Sequence, residues 1–303
     1  MILLGLGLTL YKNIVLGFPL LPGIREDVWT IESKINLKPL HEGPVQIALT
    51  LPEEDAGWVS LDDHFASSGF NFSVTEQNGH RRAHWTRKTM ERATTLFYKK
   101  QVYRMRDRAL TDRVVPNVEL PILTTTNEEV MEKVVESLKT KSTTPAEFST
   151  LLFESINLPQ PDPDMSFLLS SYGGVHLDVV MDVLAYANIP AQLIKGIFLE
   201  DGRRRQRISS LVEIVAGDRW LIFDPTTGAE GLPDNFFVWQ HGSTSILDVI
   251  GGRNSSIEFA LVKNTLPLKS ILFMEGHLEE QPLLDFSIYA LPVEQQGIFK
   301  GVL

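Results

Sequence analysis

The chain has 303 residues and no cysteine, with 38 acidic side chains against 28 basic ones. This length suits two domains of ordinary size, and the lack of cysteine excludes disulfides, thiolate metal sites and a cysteine nucleophile. The formal net charge of −10 argues against general nucleic-acid binding, which needs a basic face to neutralise phosphates.

The chain begins with apolar sequence. Residues 1–10 carry no charge, and a second apolar run covers residues 14–23. Ten helical residues span about 15 Å, roughly half of what a membrane-spanning helix requires. We therefore expect residues 1–23 to form part of a transmembrane or membrane-proximal segment, and a buried N-terminal helix is the alternative.

Alternating apolar residues dominate the next part of the chain, up to about residue 110. They include one set at Trp29, Ile31, Ile35 and Leu37 and another at Val45, Ile47, Leu49 and Leu51. Strict alternation is typical of strands with one buried face, and turn-forming residues separate the runs. Several such strands without a convincing helix predict a β-sandwich over residues 24–110.

A local excess of positive charge marks residues 80–113, which hold eleven Lys or Arg and three acidic residues. A solvated strand face is the ordinary explanation. The alternative is a docking face for an acidic partner or for anionic lipid headgroups. Its candidate residues are Arg81, Arg82, Arg87 and Lys88.

The apolar spacing becomes helical after about residue 111. It predicts a helix over residues 127–141 and a second one that begins at the capping box Thr144-Pro145-Ala146-Glu147. Residues 159–163 are interpreted as a loop. A third helix is predicted from Val175 to Ala187, with Asn188 as a left-handed cap.

Three strands are predicted after these helices, over residues 192–199, 210–215 and 219–223. Helices followed by strands predict an α+β domain with an antiparallel sheet, over residues 111–265. The predicted fold is therefore α+β overall, with a β-sandwich first and membrane-proximal segments at both ends of the chain.

Two short motifs in this second domain resemble a known fold family. Asn-Ile-Pro-Ala at 188–191 follows the third helix, and Phe-Asp-Pro-Thr at 223–226 ends the third strand. Their order and spacing are similar to those of the transglutaminase-like, papain-related fold. Active members of that family use three residues. A cysteine lies at the start of the helix, a histidine lies on the second strand after the helix, and an aspartate lies on the third.

The resemblance places these three positions at Gly173, Ser209 and Asp224. Glycine offers no nucleophile, and a serine hydroxyl does not titrate near neutral pH, so Ser209 cannot act as the base. Because the three groups of such a site act as a unit, we expect no thiol-type acyl transfer. Asp224 also has a structural explanation, since an aspartate before Pro-Thr-Thr-Gly can bind the backbone of its own turn.

The whole layout resembles that of bacterial inactive transglutaminases fused to seven transmembrane helices. The shared features include the N-terminal apolar start and the run SIYALPVEQQ at residues 287–296. The resemblance implies an inner-membrane protein with its soluble portion in the periplasm and with residues 266–303 leading toward a membrane domain. It also implies ATP-grasp ligases or aspartic-protease-like proteins as partners in peptide synthesis or modification.

The best candidate for ligand binding is a basic loop between two predicted strands. It contains Arg203, Arg204, Arg205 and Arg207. Arginine pairs well with carboxylates, so the loop would suit an acidic peptide beside the degenerate site. An ordinary solvated loop is the alternative.

No cofactor and no metal site are predicted. Asp178 and Asp182 share a face of the third helix, but His176 does not lie on it, and a metal needs three or four converging ligands. We interpret that face as solvated.

Three functions remain open. The favoured one is a non-catalytic, membrane-linked module that binds a peptide, a glutamate-rich ligand or a protein partner in the degenerate cleft. The second is a hydrolase in which Ser170 or Ser171 would act with His241 or His277. The third is an assembly part that positions the membrane domain or recruits a partner through the basic face.

Overall fold

The structure is a computed structural model that describes residues 25–53, 57–66, 69–77, 79–104 and 114–267. The predictions for residues 1–23 and for the chain after Pro267, including His277, lie outside the described residues.

Six strands open the described chain. They are β1 (Arg25–Pro39), β2 (Gly43–Thr50), β3 (Trp58–Ala66), β4 (Asn71–Gln77), β5 (His80–Met90) and β6 (Thr94–Arg104). Alternate residues of β1, β2, β5 and β6 are buried, as the period-two pattern predicts, and they form one shared apolar core. The predicted β-sandwich is confirmed.

The sandwich is completed by two strands from the far end of the described chain. These are β11 (Leu247–Ile250) and β12 (Gly252–Pro267). The two sheets have the orders β12-β1-β6-β3 and β11-β2-β5-β4, with antiparallel pairing throughout. Residues 247–265 are predicted to belong to the second domain, but the structure pairs them with the first. The sequence does not indicate this, because pairing between distant strands leaves no local pattern.

Four helices lie between the two groups of strands. They are α1 (Thr125–Lys141), α2 (Pro145–Ile156), α3 (Pro163–Ser171) and α4 (His176–Tyr186). The capping box is present at α2, where the Thr144 hydroxyl accepts a hydrogen bond from the backbone N–H of Glu147. Asn188 has the predicted left-handed conformation, with φ of 60°.

Helix α3 was not predicted. Its N-terminus is marked by Asp162, whose carboxylate accepts a hydrogen bond from the backbone N–H of Met165, and by Pro163 in the first turn. The prolines around it, at 159, 161 and 163, favoured a loop. Pro163 instead occupies the first helical position, where a backbone N–H would have no partner within the helix.

A third sheet has the order β10-β7-β8-β9 and carries the helices on one face. Its strands are β7 (Ala191–Phe198), β8 (Ser209–Ala216), β9 (Arg219–Phe223) and β10 (Phe236–His241). Val212 and Ile214 of β8 and Phe223 of β9 pack against the helical layer. The rings of Phe153 and Phe223 stack at a centroid distance of 4.5 Å. These features confirm the predicted α+β domain.

The third sheet and the sandwich share a continuous core. Phe237 and Trp239 of β10 belong to the apolar cluster of the sandwich. The indole N–H of Trp239 donates to the carbonyl of Thr50 at 2.7 Å, and that of Trp58 donates to the carbonyl of Phe236 at 3.2 Å. Both indoles are buried, and each indole N–H has a hydrogen-bond acceptor within the protein in place of water.

The first and last described residues meet at one end of the sandwich. Arg25 of β1 pairs with Pro267 of β12, and at the same end Trp58 of β3 pairs with Arg104 of β6. Among the described residues no single helix is long and apolar enough to cross a membrane. Only the bent pair formed by α3 and α4, at 115°, meets the length and composition required.

Candidate functional site

The first position of the predicted degenerate site lies just before the N-terminus of α4. Gly173 and Gly174 connect α3 to α4 with φ angles of +64° and +78°, and both are exposed. Val175 precedes the first helical residue and gives no side-chain hydrogen bond to the helix. The segment that would carry a nucleophile therefore contains only hydrogen and isopropyl side chains.

Ser209 and Asp224 lie at the same end of the third sheet. Ser209 is the first residue of β8, and Val212 of β8 pairs with Phe223 of β9, so Asp224 comes just after the paired residues. Two residues of strand separate the two positions, which is about 7 Å along the sheet. The fold thus keeps these two predicted positions near each other.

The carboxylate of Asp224 binds its own turn. Its Oδ1 accepts hydrogen bonds from the backbone N–H of Thr226 at 2.8 Å and from the Thr226 hydroxyl at 2.6 Å. The Asp224 carbonyl accepts the N–H of Gly228, which closes the turn. These contacts agree with the structural explanation of Asp224, because they hold the turn after β9.

The two serines proposed as substitute nucleophiles bind the backbone of their own helix. The Ser170 hydroxyl donates to the carbonyl of Phe167, and the Ser171 hydroxyl donates to the carbonyl of Leu168, each at 2.8 Å. His241 instead lies beside Glu53, with Nδ1 2.9 Å from Oε2. The contacts seen at these side chains give the hydrolase hypothesis no serine–imidazole pair.

The face of α4 that carries Asp178 and Asp182 borders a cavity of about 490 Å³. Asp182 is half-buried there, and its Oδ2 accepts a hydrogen bond from the Tyr172 hydroxyl at 2.6 Å. Burial raises the pKa of the Asp182 carboxyl despite this hydrogen bond. Burial and the neighbouring Asp182 also raise the pKa of Tyr172. The prediction of a simple solvated face holds for Asp178, which is exposed, and not for Asp182.

The arginine loop follows β7 and lies along the edge of the sandwich. The backbone of Arg203 accepts the N–H of Leu261, and Gln206 pairs with Phe259, so the loop extends the sheet next to β12. The Arg203 guanidinium donates to Glu200 at 2.6 Å. The four predicted arginines are all exposed. The loop leads into Ser209 at the start of β8, and binding of a ligand by its arginines stays a prediction.

The four residues of the predicted basic face all lie along β5. Arg82 forms an ion pair with Asp248 of β11, and the Arg87 guanidinium lies over the ring of Phe70 at 5.6 Å. Arg81 and Lys88 are seven residues apart on one strand, which places them about 23 Å from each other. Recruitment of a partner through these residues stays a prediction.

A cluster that the sequence did not indicate joins the two domains. The Glu53 carboxylate lies between Nδ1 of His80 and Nδ1 of His241, each 2.9 Å from one of its oxygens. All three side chains are mostly buried. Glu53 and His241 are 188 residues apart, so no spacing rule could have linked them.

This chain is similar to known families and to solved structures over most of its length. Residues 11–172 match a family described as inactive transglutaminase fused to seven transmembrane helices. Residues 244–303 match a family described as seven transmembrane helices usually fused to an inactive transglutaminase. No curated protein matches the chain.

Among solved structures, a candidate cysteine protease from Cytophaga hutchinsonii shares 13% identity with a TM-score of 0.51, over 82% of this chain and 93% of that one. At this identity the match shows the fold alone. The periplasmic domain of TgpA from Pseudomonas aeruginosa is 15% identical with a TM-score of 0.33, over 65% of this chain and 90% of that one.

Proposed function

Because the chain belongs to the family of inactive transglutaminases fused to seven transmembrane helices, we propose that it is a membrane-protein module that binds a ligand in its degenerate cleft without catalysis. The observation that supports this proposal is the combination of a retained fold with lost chemistry. Gly173 and Ser209 stand where the resemblance requires a nucleophile and a base, and the whole chain contains no cysteine.

The ligand that the site suits best is a peptide or polymer rich in carboxylates. Arg204, Arg205 and Arg207 are exposed in the loop that leads to Ser209, and this loop is fixed to β12 by backbone hydrogen bonds. A fixed loop loses little conformational freedom when it binds, which favours affinity. We place this module in the periplasm, where a partner in peptide synthesis or modification would present such a ligand.

The lack of catalysis is tested by an acyl-transfer assay on the full chain in membranes, with Asp224→Asn as the comparison. We expect no turnover above background for either protein, since neither has a thiolate or a base. Turnover that Asp224→Asn abolishes would contradict the proposal.

Ligand binding is tested with a poly-glutamate peptide and the double variant Arg204→Glu/Arg205→Glu. We expect the variant to bind at least about tenfold more weakly, because a charge-assisted hydrogen bond contributes roughly 1.5–3 kcal/mol. Arg219→Glu is the matched control, since Arg219 is exposed at the opposite end of the third sheet. Equal losses in both variants would indicate general charge attraction rather than a site.

A further inference from the structure

An extended segment before α1 exposes several large apolar side chains. The exposed fractions are 86% for Val114, 52% for Val115, 70% for Leu120 and 103% for Ile122. Residues 114–124 form neither helix nor strand, and Glu119 is their only charged residue. A group of exposed apolar side chains of this density is typical of a surface that contacts another apolar phase.

This segment lies near the end of the sandwich at which the described chain begins and ends. Strand β6 ends at Arg104, at the same end as the Arg25–Pro267 pair, and residue 114 follows ten residues later. Pro116 and Glu119 border the same cavity as Gly242. Gly242 follows His241, which contacts Glu53 in the connection from β2 to β3 at this end.

The family matches extend past the described residues and indicate which part of the protein lies beyond the Arg25–Pro267 end of the sandwich. The match to the family of seven transmembrane helices continues past Pro267 to residue 303, and the other match begins at residue 11, before Arg25. Arg25 and Pro267, the first and last described residues, are neighbours in one sheet. Membrane helices that follow Pro267 would place the bilayer on this side of the sandwich.

We propose that residues 114–122 form a membrane-contact segment whose apolar side chains enter the interfacial layer of the bilayer that carries the protein. A segment without secondary structure cannot enter the hydrocarbon core, where its backbone groups would have no partners, but it can lie at the boundary of headgroups and acyl chains. Pro116 and Pro121 lack a backbone N–H, which reduces the number of donors that need partners there. This inference rests on the membrane family and not on ligand binding in the cleft, so the two can fail separately.

The test uses the natural absence of cysteine. Single substitutions Val114→Cys, Leu120→Cys and Ile122→Cys in the full chain, reconstituted in phospholipid vesicles, each carry one nitroxide label. Collision of the label with lipid-soluble oxygen and with a water-soluble nickel chelate is then measured. Leu40→Cys and Ile250→Cys are matched controls, because both positions are apolar and exposed, at 55% and 67%, near the opposite end of the sandwich.

We expect the ratio of oxygen to nickel accessibility to be roughly threefold or more higher at the three segment positions than at the two controls, as for side chains at the acyl boundary. Equal ratios at segment and control positions would show that the segment is in water and would overturn the proposal. Low accessibility to both reagents would show that it packs against protein, which would also overturn it. All five side chains are exposed, so the labels replace no buried contact.

Discussion

Glu53 shows how a single residue connects the two domains. Its backbone N–H donates to the carbonyl of Trp239, and its carboxylate contacts His241 and His80. Burial alone would raise the pKa of the Glu53 carboxyl, but the hydrogen bond from His241 and the charges of His241 and His80 outweigh it. The pKa of Glu53 is therefore lowered.

A lowered pKa makes this contact sensitive to acid. A glutamate whose pKa is lower in the folded state stabilises the fold above its unfolded pKa of about 4.3, and this contribution is lost as the pH falls through the folded value. We expect Glu53→Gln to reduce the free energy of unfolding by about 2 kcal/mol at pH 7, as for loss of a charged hydrogen bond.

Urea unfolding followed by tryptophan fluorescence at several pH values checks this expectation. The difference between Glu53→Gln and the native chain should shrink below about pH 4. Glu91→Gln, in the exposed turn after β5, should be close to neutral throughout. A difference that stays constant down to pH 3 would show that the substitution acts through packing instead of charge.

Some individual residues could be assigned from sequence, and the reason is that their role is local. Asn188 and Asp224 both act within three residues of their own position, one as a left-handed cap and the other in a turn, and such roles have recognisable patterns. Glu53 acts across the chain, and nothing in its neighbourhood indicates that role.

Among the elements, α3 has a recognisable helix start in its sequence, but the neighbouring prolines point to a loop. Asp162 followed by Pro163 is an ordinary helix start, and Met165 and Leu168 are the buried residues of the helix. Nine residues supply little helical periodicity. From the sequence alone, the preceding prolines therefore favour a loop over a helix.

The cap of α3 predicts a measurable loss. Asp162→Ala should lower the free energy of unfolding by about 1 kcal/mol, because the N–H of Met165 would lose its acceptor. Asp162→Asn keeps a side-chain oxygen at the same place and should be nearly neutral. Equal losses in the two variants, measured by thermal unfolding, would contradict a role as hydrogen-bond acceptor.

The arginine loop is an element whose surroundings the sequence did not reveal. Its position before Ser209 follows from the order of strands. Its backbone pairing with Phe259 and Leu261 depends on β12, a strand from the other domain. The loop is therefore more rigid than a loop of four arginines would suggest.

At the scale of the whole molecule, the core of the sandwich includes side chains from two strands of the second domain, β7 and β10. Trp239 is fully buried and its ring contacts Tyr98, Phe237 and Phe259, which belong to both domains. The sequence predicts the fold of each domain. It does not predict that the domains pack together in this way, because the sandwich is closed by strands that follow the second domain in the chain.

Trp239 allows this packing to be tested. Trp239→Ala should cost about 3–5 kcal/mol of unfolding free energy, the usual range for removal of a buried tryptophan. Because the core is shared, amide hydrogen exchange should accelerate in β5 and in β8 together. Acceleration confined to β10 would instead indicate that the domains are stable independently. Trp220→Ala, at a half-buried position on β9, is the control and should leave exchange in β5 unchanged.

The pairing of Arg25 with Pro267 also determines how the protein responds to mechanical force. If the sequences before β1 and after β12 move apart, the load falls on the terminal pair of an antiparallel ladder and breaks its hydrogen bonds one pair after another. Such unzipping needs far less force than shearing a whole ladder at once. Separation of the flanking sequences would thus first open β1 from β12 and leave the arginine loop, held by Leu261 and Phe259, as the next contact to yield.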